Sequence, residues 1–296
     1  MKQLQRIGFI GLGKMGTPMV QRLVKAGFEL YLCDADITKV QILTAELNAE
    51  SLTVDNAASL DALITMLPNS EAVEQVLLGS DGISGWVAQL SQAAVVIDMS
   101  SSDPERSRRL AILLAVWELD YLDAPVSGGV KKAQNGTLSI LIGGEDRVLK
   151  SCYTALAAMG EQILFVGPAG SGHAAKALNN YVSATGLLAT IEALHVAQRF
   201  GIEPEVMTEV LNTSTGRSNT SENKVRQFML NGSYASGFTL QLMNKDLHIA
   251  RNLAQRLNYP MRLGMHCVDV WDEVSRRVTP MADHTEMYRL LIDKEP

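Results

Sequence analysis

Residues Ile7-Gly8-Phe9-Ile10-Gly11-Leu12-Gly13-Lys14-Met15-Gly16 carry the strongest fold signal in the chain. An apolar run leads into a Gly-x-Gly-x-x-Gly turn, and a helical pattern over 17–26 starts at once behind it. A second apolar run, Leu30-Tyr31-Leu32-Cys33, ends on Asp34, eighteen residues after Gly16. Strand, glycine turn, helix, strand and acid thus stand in register, and each part has a physical task. Gly11 permits the tight turn, Gly13 lets the backbone approach a pyrophosphate, and Gly16 lets helix and strand pack closely. The helix start then offers free N–H groups and a positive dipole end to phosphates, with Leu12, Lys14 and Met15 completing the loop. Asp34 is suited to a ribose 2′-OH and repels a 2′-phosphate, which favours NAD over NADP. Asp36 and Lys39 nearby leave NADP as the less favoured cofactor.

Bulk properties narrow the class. The chain has 296 residues, enough for two domains with cores, and 47% hydrophobic with 20% charged residues is ordinary globular composition. A net charge of −6 argues against nucleic acid as a partner, since sequence-independent binding needs a basic surface. The Arg106, Arg108, Arg109 group reads as the wet face of a helix. Cys33, Cys152 and Cys267 are odd in number and far apart, with no metal or redox spacing. Cys33 is expected to be buried packing. The five histidines likewise lack metal-ligand spacing, so no metal is expected. No secretory leader pattern and no apolar run of membrane length occur, and the expectation is a cytoplasmic protein without a membrane partner.

The first half alternates short apolar runs with helical segments. Strands are predicted at 6–10, 29–33, 62–66, 94–98, 119–124, 137–142 and 162–166, with helices such as 104–117 between them. That alternation implies a doubly wound parallel sheet with helices on both faces, a Rossmann-type α/β domain over 1–166. Asn135-Gly136 reads as a tight turn into a late strand. Gly167-Pro168-Ala169-Gly170-Ser171-Gly172 breaks the pattern, and beyond it the sequence is all-helical. One long helix is predicted over 173–200, closed by Gly201, with further helices at 205–212, 222–230, 240–257 and 263–277. The second domain is therefore 167–296, joined to the first by this long interdomain helix. Its apolar excess points to packing against another subunit, a homodimer or homotetramer.

Three clusters carry polar groups where chemistry is expected. Ser127-Gly128-Gly129 follow a strand end, with a hydroxyl and bare N–H groups suited to a substrate carboxylate, or else form a plain glycine turn. Lys176 and Asn180 share a face at the start of the long helix, beside Asn179. A solvated helix start is the plain alternative, but this one begins where the sheet domain ends. Lys245 belongs to Asn244-Lys245-Asp246-Leu247, which also reads as a surface Lys–Asp pair. His173 edges the second cluster and is not expected to be the base. Gly-x-Ser-x-Gly elbows and Walker loops are absent, which weakens hydrolase and NTPase readings.

These motifs together resemble the β-hydroxyacid dehydrogenase family, which takes in 3-hydroxyisobutyrate dehydrogenases and tartronate semialdehyde reductases. The resemblance spans nearly the whole chain. It rests on the segment from Gly8 to Met19, on Asp123 to Gly129 continuing through Gly136-Thr137-Leu138-Ser139, on Gly170-Ser171-Gly172 with Lys176 and Asn179-Asn180, and on Lys245-Asp246-Leu247. It implies a Rossmann domain followed by an all-helical domain, as in 6-phosphogluconate dehydrogenases. It also implies roles: Lys176 as catalytic lysine, Ser127, Gly128 and Gly129 as the carboxylate site, and Asn180 as the residue orienting substrate. Lys245 would lie near the nicotinamide, Met66-Leu67-Pro68 over the middle of the cofactor, and Ser101 against the cofactor where many relatives carry threonine.

The expected reaction is NAD-dependent interconversion of a small 3-hydroxy acid and its aldehyde or keto acid. A lysine must have its pKa lowered from about 10.4 to act as a base near neutrality. Burial and the positive charges of Lys245 and the nicotinamide are expected to do so. An NADPH-preferring aldehyde-acid reductase is the alternative within the family. A decarboxylating sugar-phosphate dehydrogenase needs a longer helical domain, and imine reductases commonly lack the lysine. A non-catalytic cofactor-binding protein would be free to lose Lys176, Asn180 or Ser127, and all three are present. The polar loop from Thr213 to Asn219 is the candidate for selectivity. If Arg217 faces the site, a second anionic group on the substrate follows; if not, a small uncharged tail.

Overall fold

The computed structural model describes residues 4–80 and 84–292. The chain forms two compact units, Met1–Lys176 and Ala177–Pro296.

The first unit is built on one sheet. Its strands are β1 (Arg6–Ile10), β2 (Glu29–Cys33), β3 (Glu50–Ser51), β4 (Ala62–Thr65), β5 (Val95–Asp98), β6 (Asp120–Asp123), β7 (Val126–Ser127), β8 (Leu138–Gly144) and β9 (Gly160–Gly167). The order β3-β2-β1-β4-β5-β6 is parallel throughout and reverses direction of winding at β1, the arrangement of a dinucleotide-binding fold. Alternate residues of these strands face two separate cores. Phe9, Leu32, Ile64 and Ile97 fill one, while Ile10, Leu63, Val96 and Tyr121 fill the other. Burial on both faces explains why the strands read as unbroken apolar runs.

The far edge departs from the all-parallel expectation. β8 runs antiparallel to β6 and β7, and β9 pairs with β8 in parallel. The connection from β7 to β8 holds only the helix Gly129–Asn135, too short for the crossover that a parallel partner requires. Asn135-Gly136 is correspondingly no hairpin turn: Gly136, at φ 71°, ends that helix in the left-handed conformation. Cys33, expected inside, is only half-buried.

The second unit packs around Leu187, Ile191 and Leu194 of the long helix Ser171–Phe200, with Val225, Met229, Leu247, Val268 and Trp271 from its other segments. The helices Pro204–Thr213, Leu240–Arg256 and Arg262–Ser275 follow the predicted pattern. The predicted helix over 222–230 is instead a short helix, Asn219–Asn223, followed by a π-helical turn, Val225–Met229. Ser218 starts the short helix with a capping box, and Lys224 (φ −122°, ψ −41°) leaves the helical path. The wider turn brings Val225 and Met229 into the core together.

Candidate active site

The predicted cofactor residues of the first unit gather at the carboxyl ends of β1, β2, β4 and β5. Gly11 has φ 104°, and a side chain there would strike the Met66 carbonyl oxygen at 2.3 Å. A Cβ on Gly16 would lie 1.9 Å from the Gly11 carbonyl oxygen, so the helix Gly16–Lys25 can approach the turn only as glycine. Gly13 is different: nothing in the protein lies within 4 Å of where its Cβ would stand. The fold therefore demands glycine at 11 and 16, whereas packing within the protein makes no such demand at Gly13. The helix behind the turn carries no acid in its first turn and has Arg22 and Lys25 in its last, a polarity that keeps its N-terminus attractive to phosphate. These residues fit a dinucleotide pyrophosphate. Lys14 is exposed and Met15 half-buried on the same turn.

Asp34 is built into this loop. Its Oδ2 accepts from the Leu12 N–H at 2.6 Å and its Oδ1 from the Asp36 N–H at 2.9 Å. A carboxylate has further lone pairs, so these bonds leave capacity for a ribose hydroxyl. Met66 and Leu67 are half-buried and Pro68 exposed. The Leu67 N–H donates to Ser100 Oγ at 2.9 Å, which ties this loop to the segment carrying half-buried Ser101. Ser127 is half-buried on β7, and Gly128 (φ 131°) and Gly129 (φ 69°) present exposed backbone behind it.

Beneath these loops lies a buried polar cluster whose role the sequence did not reveal. Asp98 and Asp123 end β5 and β6 as register partners, both buried. Asp98 accepts from Thr65 Oγ1 and Ser102 Oγ at 2.9 Å each and from the Ser100 N–H at 3.0 Å. Asp123 accepts from the Gly170 N–H at 2.7 Å and the His173 N–H at 2.9 Å. The long helix has no acid in its own first turn, so a strand-borne carboxylate caps it. Gly143 and Gly172 are glycine because a Cβ on either would come within 3 Å of the Asp123 carboxylate. His173 is buried, with Nδ1 at 2.7 Å from Ser107 Oγ and Nε2 at 3.1 Å from the Ser100 carbonyl oxygen. It is an anchor for the helix rather than an edge of the site. Lys176, three residues on and 8% exposed, is positioned by this anchored start. The visible clue was a carboxylate closing each of two apolar strands.

The Arg106 group is not simply a wet face. Arg106 is half-buried and pairs with Glu71 and Glu74, whereas Arg108 and Arg109 are exposed.

In the second unit, Asn180 is buried and its Nδ2 donates to Asp246 Oδ2 at 2.6 Å. Asp246 Oδ1 stands 3.6 Å from Lys245 Nζ. A buried carboxylate thus links the predicted Asn180 and Lys245, which share no sequence neighbourhood. Arg217 is largely exposed and faces Glu222 at 3.6 Å, and Asn219 opens the short helix behind it. Among the described residues, no helix is long and apolar enough to cross a membrane.

A doubly wound sheet bearing an open glycine turn, followed by an all-helical unit, is an architecture suited to an NAD(P)-dependent oxidoreductase. Comparison with known proteins carries this further. The family model described as the NAD binding domain of 6-phosphogluconate dehydrogenase matches residues 6–167. The model described as NAD-binding of NADP-dependent 3-hydroxyisobutyrate dehydrogenase matches residues 170–291. The chain is 34% identical to 2-(hydroxymethyl)glutarate dehydrogenase of Eubacterium barkeri, over 92% of this chain and 90% of that protein. It is 33% identical to mitochondrial 3-hydroxyisobutyrate dehydrogenase of Rattus norvegicus, over 98% of this chain and 88% of that one. The solved structure of Mycobacterium tuberculosis 3-hydroxyisobutyrate dehydrogenase with L-serine matches with a TM-score of 0.89 at 29% identity, covering 98% of this chain and 99% of that one. The chain belongs to the β-hydroxyacid dehydrogenase family. It is an NAD(P)-dependent dehydrogenase acting on hydroxyl donors.

Proposed function

We propose that this enzyme interconverts a small 3-hydroxy acid and its aldehyde or keto acid with NAD as the preferred cofactor, and that Lys176 is the general acid–base. The observation that carries this reading is a buried amine, Lys176, on a helix whose start is fixed by Asp123 and His173 at the carboxyl ends of the sheet strands. Gly11, Leu12, Gly13, Lys14, Met15 and Gly16 hold the pyrophosphate, and Met66, Leu67, Pro68, Ser101 and Lys245 complete the cofactor site. When bound, the cofactor supplies the hydride acceptor or donor. Ser127, Gly128 and Gly129 hold the substrate carboxylate and Asn180 orients the substrate. Lys176 Nζ takes the proton of the substrate hydroxyl in oxidation and returns it in reduction. Asp34 supports NAD, because its carboxylate is fixed at the turn by the Leu12 N–H and would repel a 2′-phosphate.

The test is NAD⁺ reduction across a panel of 3-hydroxy acids, with NADP⁺ in parallel, for wild type and Lys176→Ala. Wild type should turn over a member of the panel with NAD⁺ preferred, and Lys176→Ala should lose about three orders of magnitude in kcat with NADH binding kept. Retained turnover in the variant would refute the role of Lys176.

A homodimer or homotetramer is supported by Leu178, Val182, Val196 and Phe200, which share one exposed stripe of the long helix. A cytoplasmic location is supported by three free cysteines, of which Cys152 and Cys267 are buried and held above the usual thiol range by burial.

A further inference from the structure

Lys224, seven residues beyond Arg217, stands where the short helix gives way to the π-helical turn. Its carbonyl oxygen accepts from the Phe228 N–H at 3.0 Å and the Met229 N–H at 3.3 Å, and its neighbour Val225 is fully buried. The backbone carrying Lys224 is therefore fixed to the core. Turns of this wide type recur at functional sites. The Lys224 ammonium is half-buried and donates to Ser183 Oγ at a long 3.3 Å. Among the described residues, no carboxylate oxygen lies within 4.0 Å of it.

The charges around it do not neutralise it. Asp283 attracts Lys224 from a distance, but its own oxygens accept from Ser236 Oγ, the Gly237 and Thr285 N–H groups and Thr285 Oγ1, all between 2.7 and 2.9 Å. His284 is buried and, through burial and the charge of Lys224, is pushed down to about 4, so it is neutral. Burial in turn pushes Lys224 down to about 8. An ammonium half out of water with one hydroxyl partner is a group that an incoming anion would stabilise.

Its hydroxyl partner points to where that anion belongs. Ser183 follows Asn180 by three residues and Lys176 by seven on one continuous α-helix, spacings that share a face. At 1.5 Å per residue the step from Lys176 to Ser183 is about 10 Å along the axis. Within the second unit, a substrate held at Asn180 whose tail runs along this helix face toward its C-terminus meets Ser183 and Lys224.

We propose that Lys224 and Ser183 form a subsite for a second carboxylate at the far end of the substrate. The enzyme is then selective for hydroxy dicarboxylates of glutarate length over acids with a methyl tail. This rests on the roles of Lys176 and Asn180 given above. Lys224, not Arg217, is the basic residue of this segment that reads the distal group.

The test is calorimetric binding of 2-(hydroxymethyl)glutarate and of 3-hydroxyisobutyrate to the full chain saturated with NADH, where no reaction can proceed. Wild type should bind the dicarboxylate at least about tenfold more tightly. The ratio should fall to about one in Lys224→Met and be largely kept in Lys224→Arg. A wild-type ratio near one, undetectable binding of the dicarboxylate, or an unchanged ratio in Lys224→Met overturns the subsite. Turnover measured separately keeps the two readings apart. Selective binding without turnover of either acid would sink the proposed 3-hydroxy acid reaction at Lys176 and leave the subsite standing; turnover of 3-hydroxyisobutyrate with no selectivity would do the reverse.

Discussion

At the scale of single residues, the glycine turn separates folding from binding. Gly16 has no room for a side chain, because its Cβ would sit 1.9 Å from a backbone oxygen, whereas Gly13 faces open space. Gly16→Ala should therefore lower the melting temperature by about 5 °C or more through backbone displacement. Gly13→Ala should melt with wild type yet weaken NADH binding by about tenfold or more, since the methyl group takes the place of the phosphates. Fluorescence titration with NADH beside a thermal melt distinguishes the two. Equal melts for both variants, or full NADH affinity in Gly13→Ala, would contradict this division. The motif already separates Gly13, which faces the ligand, from Gly11 and Gly16, which serve the fold, and the structure adds the distances that distinguish them.

At the scale of elements, the long helix owes its placement to a residue outside it. Asp123 satisfies the N–H groups of Gly170 and His173, and its loss would leave two buried donors unpaired. At about 1–3 kcal/mol for each unpaired donor, Asp123→Ala should lower the melting temperature by roughly 10 °C. Because Lys176 lies one turn beyond, kcat should fall by at least about tenfold, with Asp123→Asn intermediate in both measurements. A variant that melts low but keeps wild-type kcat would show that the cap stabilises without positioning. Two elements depart from what local pattern predicts. The apolar spacing of Val225 and Met229 fits an α-helix, and nothing local signals that Lys224 leaves the helical path. The reversal of β8 follows from a connection too short to cross over, a constraint visible only once the strands have partners.

At the scale of the whole molecule, buried titratable groups set the pH response. His284 is held at about 4 in the fold against 6.5 when exposed, chiefly by burial. Between those values the unfolded chain binds the proton and the folded chain does not, so stability is lost as pH falls from 6.5 toward 4. Lys224, lowered from 10.5 to about 8 by burial, acts at the other end: stability rises with pH between 8 and 10.5. Melting temperature should fall by a few degrees more between pH 7 and pH 5 in wild type than in His284→Asn. Parallel curves would remove His284 from the account. Association is also a property of this scale. Phe200 is 84% exposed and Val196 68%, and Val196→Asp with Phe200→Asp should shift the mass seen by light scattering to that of one chain. A wild type that is already monomeric would end that proposal.

Local patterns in the chain are enough to set the class. Alternating apolar runs and helical patterns, a glycine turn in register and an acid after β2 are local signals, because backbone geometry ties strand and helix periods to side-chain spacing. Lys176, Asn180 and Ser127 stand out locally as polar residues at a helix start and a strand end, and Lys245 within a polar cluster, but the roles proposed for them come from the family resemblance. What those residues meet depends on contacts between distant segments. Asp123 reaches His173 across fifty residues and Asn180 reaches Asp246 across sixty-six. Lys224 reaches Ser183 across forty-one. Burial turns Asp123 and Asn180 toward partners that satisfy them and leaves Lys224 with a single hydroxyl, and in each case the partner is set by the packing of whole elements, which no local pattern encodes.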